Sequence, residues 1–298
     1  MAYSMNSQRI EVMSAQSLAN EIKTLFSLPE VIFKLGQLLN SPYVTNGEIG
    51  EVIINDPALT ARVLQLANSG LLESPARIET VSGAIALIGR EVLRNLVVAA
   101  SVASQFNGIP PVLIDMERFW LNSVACGVIA RSLAFRCRVF DSEPLFVAGL
   151  LHKVGRLAFY SCRADLYREV LEASEPSEDA VNLGERRVFG FTHAELGAEL
   201  LRLWGLPERL QIAVAYYLAP SSAPRYRKSA ALIHVASALA CNIEPSVNLD
   251  EVIYGDKVGF EKGAWNLLGL PLHIIPPLLD EAWIQAFEIF EILRPNPI

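Results

Sequence analysis

A histidine followed directly by a lysine is the pair in this sequence best suited to chemistry at a site. His152 and Lys153 lie within the apolar segment VAGLLHKVGRL, residues 147–157. An imidazole is a good ligand for a transition-metal ion, whereas an ammonium carries a positive charge. Arg156 lies one helical turn after Lys153, and His193 provides a second imidazole further along the chain. This group could ligate a metal ion through its imidazoles or bind an anion through its cations.

Each of these side chains also has a purely structural interpretation. His152 on an apolar helix is typical of a core histidine whose ring nitrogens bond to backbone or side-chain groups. His193 directly follows Thr192, a predicted helix cap, which favours local hydrogen bonds at the helix start. Lys153 could extend its aliphatic stem along the surface and reach solvent. The metal, anion and structural interpretations all stay open at this point.

Motifs of other enzyme classes are absent from the sequence. It contains no Gly-rich phosphate loop and no GxSxG elbow. Residues 68–70 (Asn-Ser-Gly) include a serine, but no histidine lies nearby, and we interpret them as a helix stop. The cysteines Cys126, Cys137, Cys162 and Cys241 form no CxxC pair, which is typical of reduced thiols in the cytosol. We therefore assign no catalytic residue, metal ligand or cofactor from these patterns.

The composition indicates a globular protein with a sizeable core. The chain has 298 residues, 52% apolar and 19% charged, enough for one large domain or two packed subdomains. A net charge of −7 argues against general nucleic-acid binding, which needs a basic face. Residues 1–20 contain no signal-type apolar stretch, and charged residues interrupt the most hydrophobic window, residues 84–103. We expect a soluble, cytoplasmic protein that does not enter a membrane.

Apolar residues recur with helical spacing along almost the whole chain, and no convincing strand pattern is present. Two capping boxes, Thr45 with Glu48 and Thr192 with Glu195, predict helix starts. Asp56 before Pro57 predicts another start. Further helices are predicted over residues 85–103, 117–137, 229–241 and 279–293, with His152 and Lys153 together on one helix and an acidic loop at 172–179. The expected fold class is all-α.

Several short motifs occur in a specific order in both halves of the chain. They are residues 28–31, 56–64, 67–69 and 84–89, then 119–120, 148–155, 185–186, 192–198 and 204–207. Their order and spacing over roughly residues 18–240 resemble the HDOD family, the HD-related output domain of bacteria. The resemblance implies two packed helical subdomains, the second an HD-like bundle, and a signalling or regulatory role. The implied division is an extension at 1–17, subdomains at 18–110 and 111–245, with a break at 108–111, and a C-terminal helical tail at 246–298.

The resemblance also connects the chain to HD-superfamily phosphohydrolases, whose imidazoles and carboxylates hold one or two divalent ions. At the corresponding positions this sequence has Asn122, His152, Lys153, His193, Tyr216, Tyr217 and Ser237. Lys153 replaces an aspartate, so a positive charge stands where a negative ligand would be. None of these positions holds a carboxylate, which implies that the hydrolase chemistry is lost. The ammonium of Lys153, with Arg156 and His193, could instead form a pocket for phosphate or a nucleotide.

The function expected from this resemblance is non-catalytic regulation by docking another protein. The expected partner is a histidine kinase, a receiver domain, a transcription regulator or a cyclic-di-nucleotide enzyme, in a two-component or cyclic-di-nucleotide pathway. A ligand sensor using the vestigial pocket and a weak metal-dependent phosphohydrolase remain as alternatives. The oligomeric state is open, with a monomer favoured, because the last helix could pack on its own domain or across a dimer.

Overall fold

The computed structural model describes residues 13–25, 34–35, 38–39, 41, 43–68, 77–90, 93, 97, 106, 109–139, 142–174, 177–241 and 260–293. These residues contain α-helices and two short 3-10 turns, and none of them lies in a β-strand. The predicted all-α fold class is therefore confirmed. Residues 28–31 lie outside the described residues, as do parts of the predicted stop at 68–70, helix at 85–103 and break at 108–111.

The helices in the first half begin where the local capping signals predict. They are α1 (Ala15–Leu25), α2 (Asn46–Ile54), α3 (Pro57–Ala67) and α4 (Val81–Ile88). The backbone N–H of Glu48 donates to the Thr45 hydroxyl, and the Thr45 N–H donates to the Glu48 carboxylate, which completes a capping box. Asp56 accepts from the N–H of Leu59 at 3.0 Å. Helices α2, α3 and α4 pack against one another.

The second half contains a longer series of helices. They are α5 (Met116–Arg136), α6 (Glu143–Leu151), α7 (Val154–Cys162), α8 (Ala164–Ala173), α9 (Glu178–Phe189), α10 (His193–Leu203), α11 (Glu208–Tyr216), α12 (Arg227–Ala240), α13 (Lys262–Leu268) and α14 (Ile275–Leu293). Helix α5 packs against α6, α12 and α14, while α10 packs against α1, α7 and α11. Buried apolar side chains from both halves of the chain form one continuous cluster.

Two sequence-based predictions in this half are wrong. His152 and Lys153 do not share one helix, because α6 ends at Leu151 and the backbone of Lys153 leaves the helical region before α7 begins. The bounds of the predicted acidic loop at 172–179 are wrong, since α8 continues to Ala173 and α9 already begins at Glu178. Glu178 and Asp179 belong to the first turn of α9, where negative charge complements the helix dipole.

Glycines allow two helix crossings at backbone contact, and both crossings position the predicted site. A Cβ added at Gly149 of α6 would lie 2.6 Å from the Cα of Gly127 on α5. A Cβ added at Gly155 of α7 would collide with the carbonyl oxygen of His193, the first residue of α10. No side chain other than hydrogen fits at these contacts. The crossings therefore fix the α6–α7 junction against α5 on one side and α10 on the other.

The terminal described helices connect the two halves of the chain. Helix α14 packs against both α5 and α3, and Glu281 on α14 pairs with Arg136 on α5 at 3.0 Å. Helix α1 packs against α7 and α10, with Glu21 and Arg163 paired at 2.7 Å. The last described helix thus packs against both halves of the chain.

A helix that crosses a bilayer needs about 20 predominantly apolar residues, a standard against which the described helices can be judged. No single helix among them is both long and apolar enough to cross a bilayer. The segments Lys262–Leu268 and Leu272–Glu291 reach that length and composition only together, across a bend of 84°.

Replacing Gly155 by alanine is expected to destabilise the fold, because the new methyl group meets backbone that cannot rotate away. We expect a loss of about 1–3 kcal/mol or more in the free energy of unfolding, measured by urea denaturation. Gly263→Ala is the matched control, since a Cβ there meets nothing within 4 Å. It should change stability by less than about 1 kcal/mol, in the stabilising direction. Equal stability of the two variants would contradict the crossing.

Candidate functional site

The predicted site lies where five helices and the α6–α7 junction converge. His152 and Lys153 come from that junction, His193 from the start of α10, and Ser237 from α12. Tyr217 directly follows the last residue of α11. Two carboxylates that were not predicted, Glu178 and Glu185, enter from α9, and Tyr167 enters from α8. These side chains form two adjoining polar clusters, one around the imidazoles and one around the cations.

His152 has the structural role predicted for a core histidine. Its ring is fully buried, with Nδ1 2.6 Å from the carbonyl oxygen of Gly149 and Nε2 2.9 Å from the hydroxyl of Ser237. A carbonyl oxygen only accepts, so Nδ1 carries the proton and Nε2 accepts from Ser237. Burial, followed by the nearby ammonium of Lys153, holds the pKa of His152 well below its usual value. The imidazole is therefore neutral at pH 7.

His193 does more than the local capping expected of it. Thr192 and Glu195 form the capping box, while the backbone N–H and the Nδ1 of His193 both lie 2.8 Å from Glu185 Oε2. Its Nε2 makes a short hydrogen bond with the Tyr217 hydroxyl. Burial lowers the pKa of His193, an effect only partly offset by the adjacent carboxylate of Glu185. The ring is neutral at pH 7 and connects α9 to the end of α11.

Glu185 is a fully buried carboxylate with several donors around it. Its Oε1 accepts from the hydroxyl of Tyr167 at 2.7 Å, and Arg156 Nε lies 3.8 Å from the same oxygen. Burial raises the pKa of Glu185, but His193 and Arg156 outweigh this effect and lower the pKa below its ordinary value. The carboxylate is thus ionised and paired in the interior, as a buried charge requires.

The cations of Lys153 and Arg156 converge on Glu178. Only 8% of the Lys153 side chain is exposed, so the interpretation in which it reaches solvent is excluded and the one in which its ammonium lies inside the site remains. Lys153 Nζ lies 2.9 Å from Glu178 Oε1, and Arg156 contacts both oxygens of the same carboxylate. Partial burial raises the pKa of Glu178, but the two cations outweigh it and hold the pKa well below its usual range. An internal carboxylate therefore occupies the position expected for an anion.

A cleft of about 360 Å³ opens beside this ion-pair cluster. It is lined by Ile114, Asp115, Arg118, Phe119, Leu121, Asn122, Ala125, Lys153, Arg156, Tyr160, Glu178, Ala240 and Cys241. Asn122 Nδ2 lies 3.8 Å from the sulfur of Cys241, which is itself 4.0 Å from Lys153 Nζ. Tyr216 is half-buried at the end of α11 and takes no part in the two polar clusters. Of the predicted positions, Tyr216 lies in neither the clusters nor the lining of the cleft, whereas Asn122 lines the cleft.

The residues present do not fit a divalent metal ion. Both ring nitrogens of His152 and of His193 are engaged by protein groups, and Lys153 places a cation where the aspartate ligand would be. Within the described part of the chain, no three His, Cys, Asp or Glu side chains are arranged to hold a metal ion. Imidazoles that already donate and accept internally would have to break those bonds before they could ligate.

The carboxylates missed by the sequence reasoning had different local signals. Glu185 lies in one of the matching motifs, but its partner His193 is on another helix and nothing in the spacing indicates the pairing. Glu178 follows Ser177, whose hydroxyl accepts from the N–H of Ala180 at 3.2 Å and caps α9. A serine followed by two acidic residues is a helix-start signal that could have placed Glu178 on α9.

Comparison with known proteins gives one family match. The family model described as HDOD domain matches residues 25–220. A curated protein of Treponema pallidum (strain Nichols), described as uncharacterized, is 25% identical over 198 residues. The match covers 65% of this chain and 37% of that protein, so this chain spans well under half of its length.

Solved structures with the same fold cover nearly the whole chain. A proposed phosphohydrolase of Shewanella amazonensis SB2B is 26% identical, with a TM-score of 0.72 over 94% of this chain and 98% of its own. A proposed signal transduction protein of Marinobacter aquaeolei VT8 is 20% identical, with a TM-score of 0.68 over 96% and 68%, respectively. The second likeness shows the fold alone.

The two buried imidazoles make stability dependent on pH. Their pKa values in the folded state lie below about 6.5, the value in an unfolded chain, so the folded state binds fewer protons. Stability is complete above pH 6.5 and falls as the pH decreases toward the folded-state values, by up to about 1.4 kcal/mol per unit for each histidine. Urea denaturation from pH 7.5 to 5 measures this slope.

Two variants test whether this pH dependence of the unfolding free energy comes from the buried histidines of the site. His152→Gln should reduce the slope, because one buried imidazole no longer titrates. His273→Gln should leave it unchanged, since His273 is exposed in the turn before α14. A slope that is the same in all three proteins would contradict the assignment.

Proposed function

From the premise that the chain belongs to the HDOD domain family, we propose a non-catalytic regulatory protein of bacterial signal transduction. It acts by docking another protein, which belongs to the classes expected above: a kinase, a receiver, a transcription regulator or a cyclic-di-nucleotide enzyme. The pathway is of the two-component or cyclic-di-nucleotide type. The free thiols of its four cysteines are compatible with the reducing cytoplasm as its compartment.

One observation supports the non-catalytic part of this proposal above all others. The side chains at the former His-Asp pair are engaged inside the protein: His152 bonds Gly149 and Ser237, and Lys153 bonds Glu178. A hydrolase site must leave ligands or donors available to substrate, ion or water. Saturated side chains instead stabilise the helix packing, which favours a structural use of the old site. A weak metal-dependent hydrolase remains the alternative, because the similar Shewanella protein is a proposed phosphohydrolase.

Metal content and hydrolysis together test the proposal. Protein purified without a metal-affinity step is analysed by plasma mass spectrometry and assayed against a chromogenic phosphodiester with added manganese or iron. We expect only background metal and no turnover, because the described residues offer no ligand set for a metal ion. His152→Gln, measured in parallel, should be indistinguishable from the wild-type protein.

The opposite result would overturn the non-catalytic assignment. Near-stoichiometric metal with phosphodiester turnover in the wild-type protein, both lost in His152→Gln, would identify a working hydrolase. Turnover of equal size in both proteins would come from a contaminant, and the assignment would stand.

Helix α14 presents the docking surface that we favour. Ile284 and Phe287 lie one turn apart and are 63% and 50% exposed, although the opposite face of α14 is packed in the core. Acidic residues surround this apolar pair along the helix, and α14 contains no lysine or arginine. They are Asp280, Glu281, Glu288 and Glu291. By charge complementarity, the partner contributes a basic amphipathic helix with an apolar stripe.

A paired set of surface variants tests this docking surface. Ile284→Ser/Phe287→Ser removes the apolar contact, and Val112→Ser/Leu183→Ser is the control, since both of those side chains are also exposed. In crosslinked affinity capture from native lysate, one protein with a basic amphipathic segment should be retained by the wild type and the control. The α14 variant should lose it.

The docking function and its assignment to the α14 surface would be contradicted by two different results. Repeated capture with no specific protein from any variant would count against the docking function. A partner retained by the α14 variant would leave the function intact and overturn the assignment of the surface.

A further inference from the structure

The cleft beside the ion-pair cluster is lined by several charged side chains. Its lining includes Arg118 in addition to Lys153 and Arg156, against the carboxylates of Asp115 and Glu178. Asp115 caps α5 by accepting from the N–H of Arg118 at 3.1 Å. The lining therefore carries three cations and two carboxylates, and Arg156 also faces the buried carboxylate of Glu185 at 3.8 Å. Three cations thus lie together in one cleft of a protein whose net charge is −7, where an anion could compete for them.

The cations at the base of the cleft are already arranged to bind an anion through two of its oxygen atoms. The Arg156 guanidinium contacts both oxygens of Glu178, and Lys153 adds a third contact. A guanidinium binds carboxylate and phosphate with the same bidentate geometry. Only 8% of the Lys153 side chain and 14% of the Arg156 side chain are exposed, while 47% of Glu178 is exposed. The cations are thus fixed in the wall, and the carboxylate lies on the side open to solvent.

We propose that Glu178 is an internal stand-in for an anionic ligand, and that a nucleotide-sized phosphate monoester displaces it. The phosphate would bind Lys153 and Arg156 in place of the carboxylate. A phosphate monoester carries a charge of about −1.5 to −2 at pH 7, so it neutralises two cations better than one carboxylate does. This site goes beyond the proposed docking function and does not depend on it.

The size and lining of the cleft indicate the rest of the ligand. A volume of about 360 Å³ lies within the range of small-molecule pockets and exceeds what a phosphate ion fills. Phe119 and Tyr160 provide aromatic surface, and Asn122 provides an amide that can donate and accept. A planar, hydrogen-bonding group attached to the phosphate, such as the base of a nucleoside monophosphate, matches this lining.

Displacement of Glu178 would reach the imidazole cluster through α9. Glu178 is the first residue of α9, and Glu185 two turns later holds His193 and Tyr167. Arg156 contacts the first carboxylate and approaches the second at 3.8 Å. A ligand that takes over Arg156 therefore changes the ion pairs at two positions of one helix. This gives binding in the cleft a direct mechanical connection to the packing of α8, α9 and α10.

Isothermal titration with defined probes tests the proposal in the full chain. The probes are adenosine and guanosine 5′-monophosphate, inorganic phosphate and unphosphorylated adenosine. Glu178→Ala removes the internal competitor, and Asp179→Ala is its matched control, since it deletes the same charge from the next residue of the same helix turn. We expect Glu178→Ala to bind a nucleoside monophosphate at least about tenfold more tightly than Asp179→Ala, because no competing carboxylate has to be displaced.

A second variant shows whether the gain belongs to this site. Adding Lys153→Met to Glu178→Ala should remove the gain, and thermal melting of the double variant verifies that it folds. Inorganic phosphate should bind more weakly than the nucleoside monophosphates, and adenosine should not bind. Recovery of unchanged probe after the titration distinguishes binding from turnover.

Each opposing result overturns a stated part of the proposal. Equal affinities of Glu178→Ala and Asp179→Ala, or a gain that survives Lys153→Met, would overturn the displaced-carboxylate site. Equal affinities for phosphate and nucleotide would overturn the nucleotide-sized ligand. A protein that fails this titration but still captures its partner separates this failure from that of the docking function.

Discussion

The buried carboxylate of Glu185 is the constraint on which the second half of the structure depends. An ionised group without solvent must collect donors from its surroundings, and here they come from three other helices. Tyr167 arrives from α8, Arg156 from α7, and the ring and backbone of His193 from α10. Tyr167 and His193 hydrogen-bond the carboxylate, and Arg156 faces it as a cation at 3.8 Å, so one charge constrains the relative placement of four helices.

The ion pairs of Glu178 at the mouth of the cleft differ from the Glu185 cluster in their exposure to solvent. Glu178 pairs with two cations, but it is half-exposed, so its desolvation cost and its net stabilisation are both smaller than those of a fully buried pair. The interior cluster is therefore the rigid part and the outer cluster the adaptable part. Arg156 belongs to both, which places one guanidinium between a fixed carboxylate and an exchangeable one.

The sequence was sufficient for the parts of this structure that arise locally. The caps at Thr45, Asp56 and Thr192 were found because a cap and its donor lie within three residues of each other. The prediction that His152 and His193 lie in one site came from the order of the motifs that resemble the HDOD family. The pairings of Lys153 with Glu178 and of His193 with Glu185 could not be found, because they depend on how helices cross. Those crossings are set by hydrogen-only contacts such as Gly155 against α10, which leave no periodic pattern in the chain.

The packing of α14 has a consequence for the time course of synthesis. Helix α3 lies in the first quarter of the chain, yet one of the helices it packs against is α14, close to the other end of the described residues. Ribosomes add about 5–20 residues per second, so α3 waits on the order of ten seconds or more for that contact. The apolar surface that α14 will cover stays open during this interval. Until α14 has left the exit tunnel, the nascent chain therefore exposes apolar surface of the kind that holdase chaperones bind.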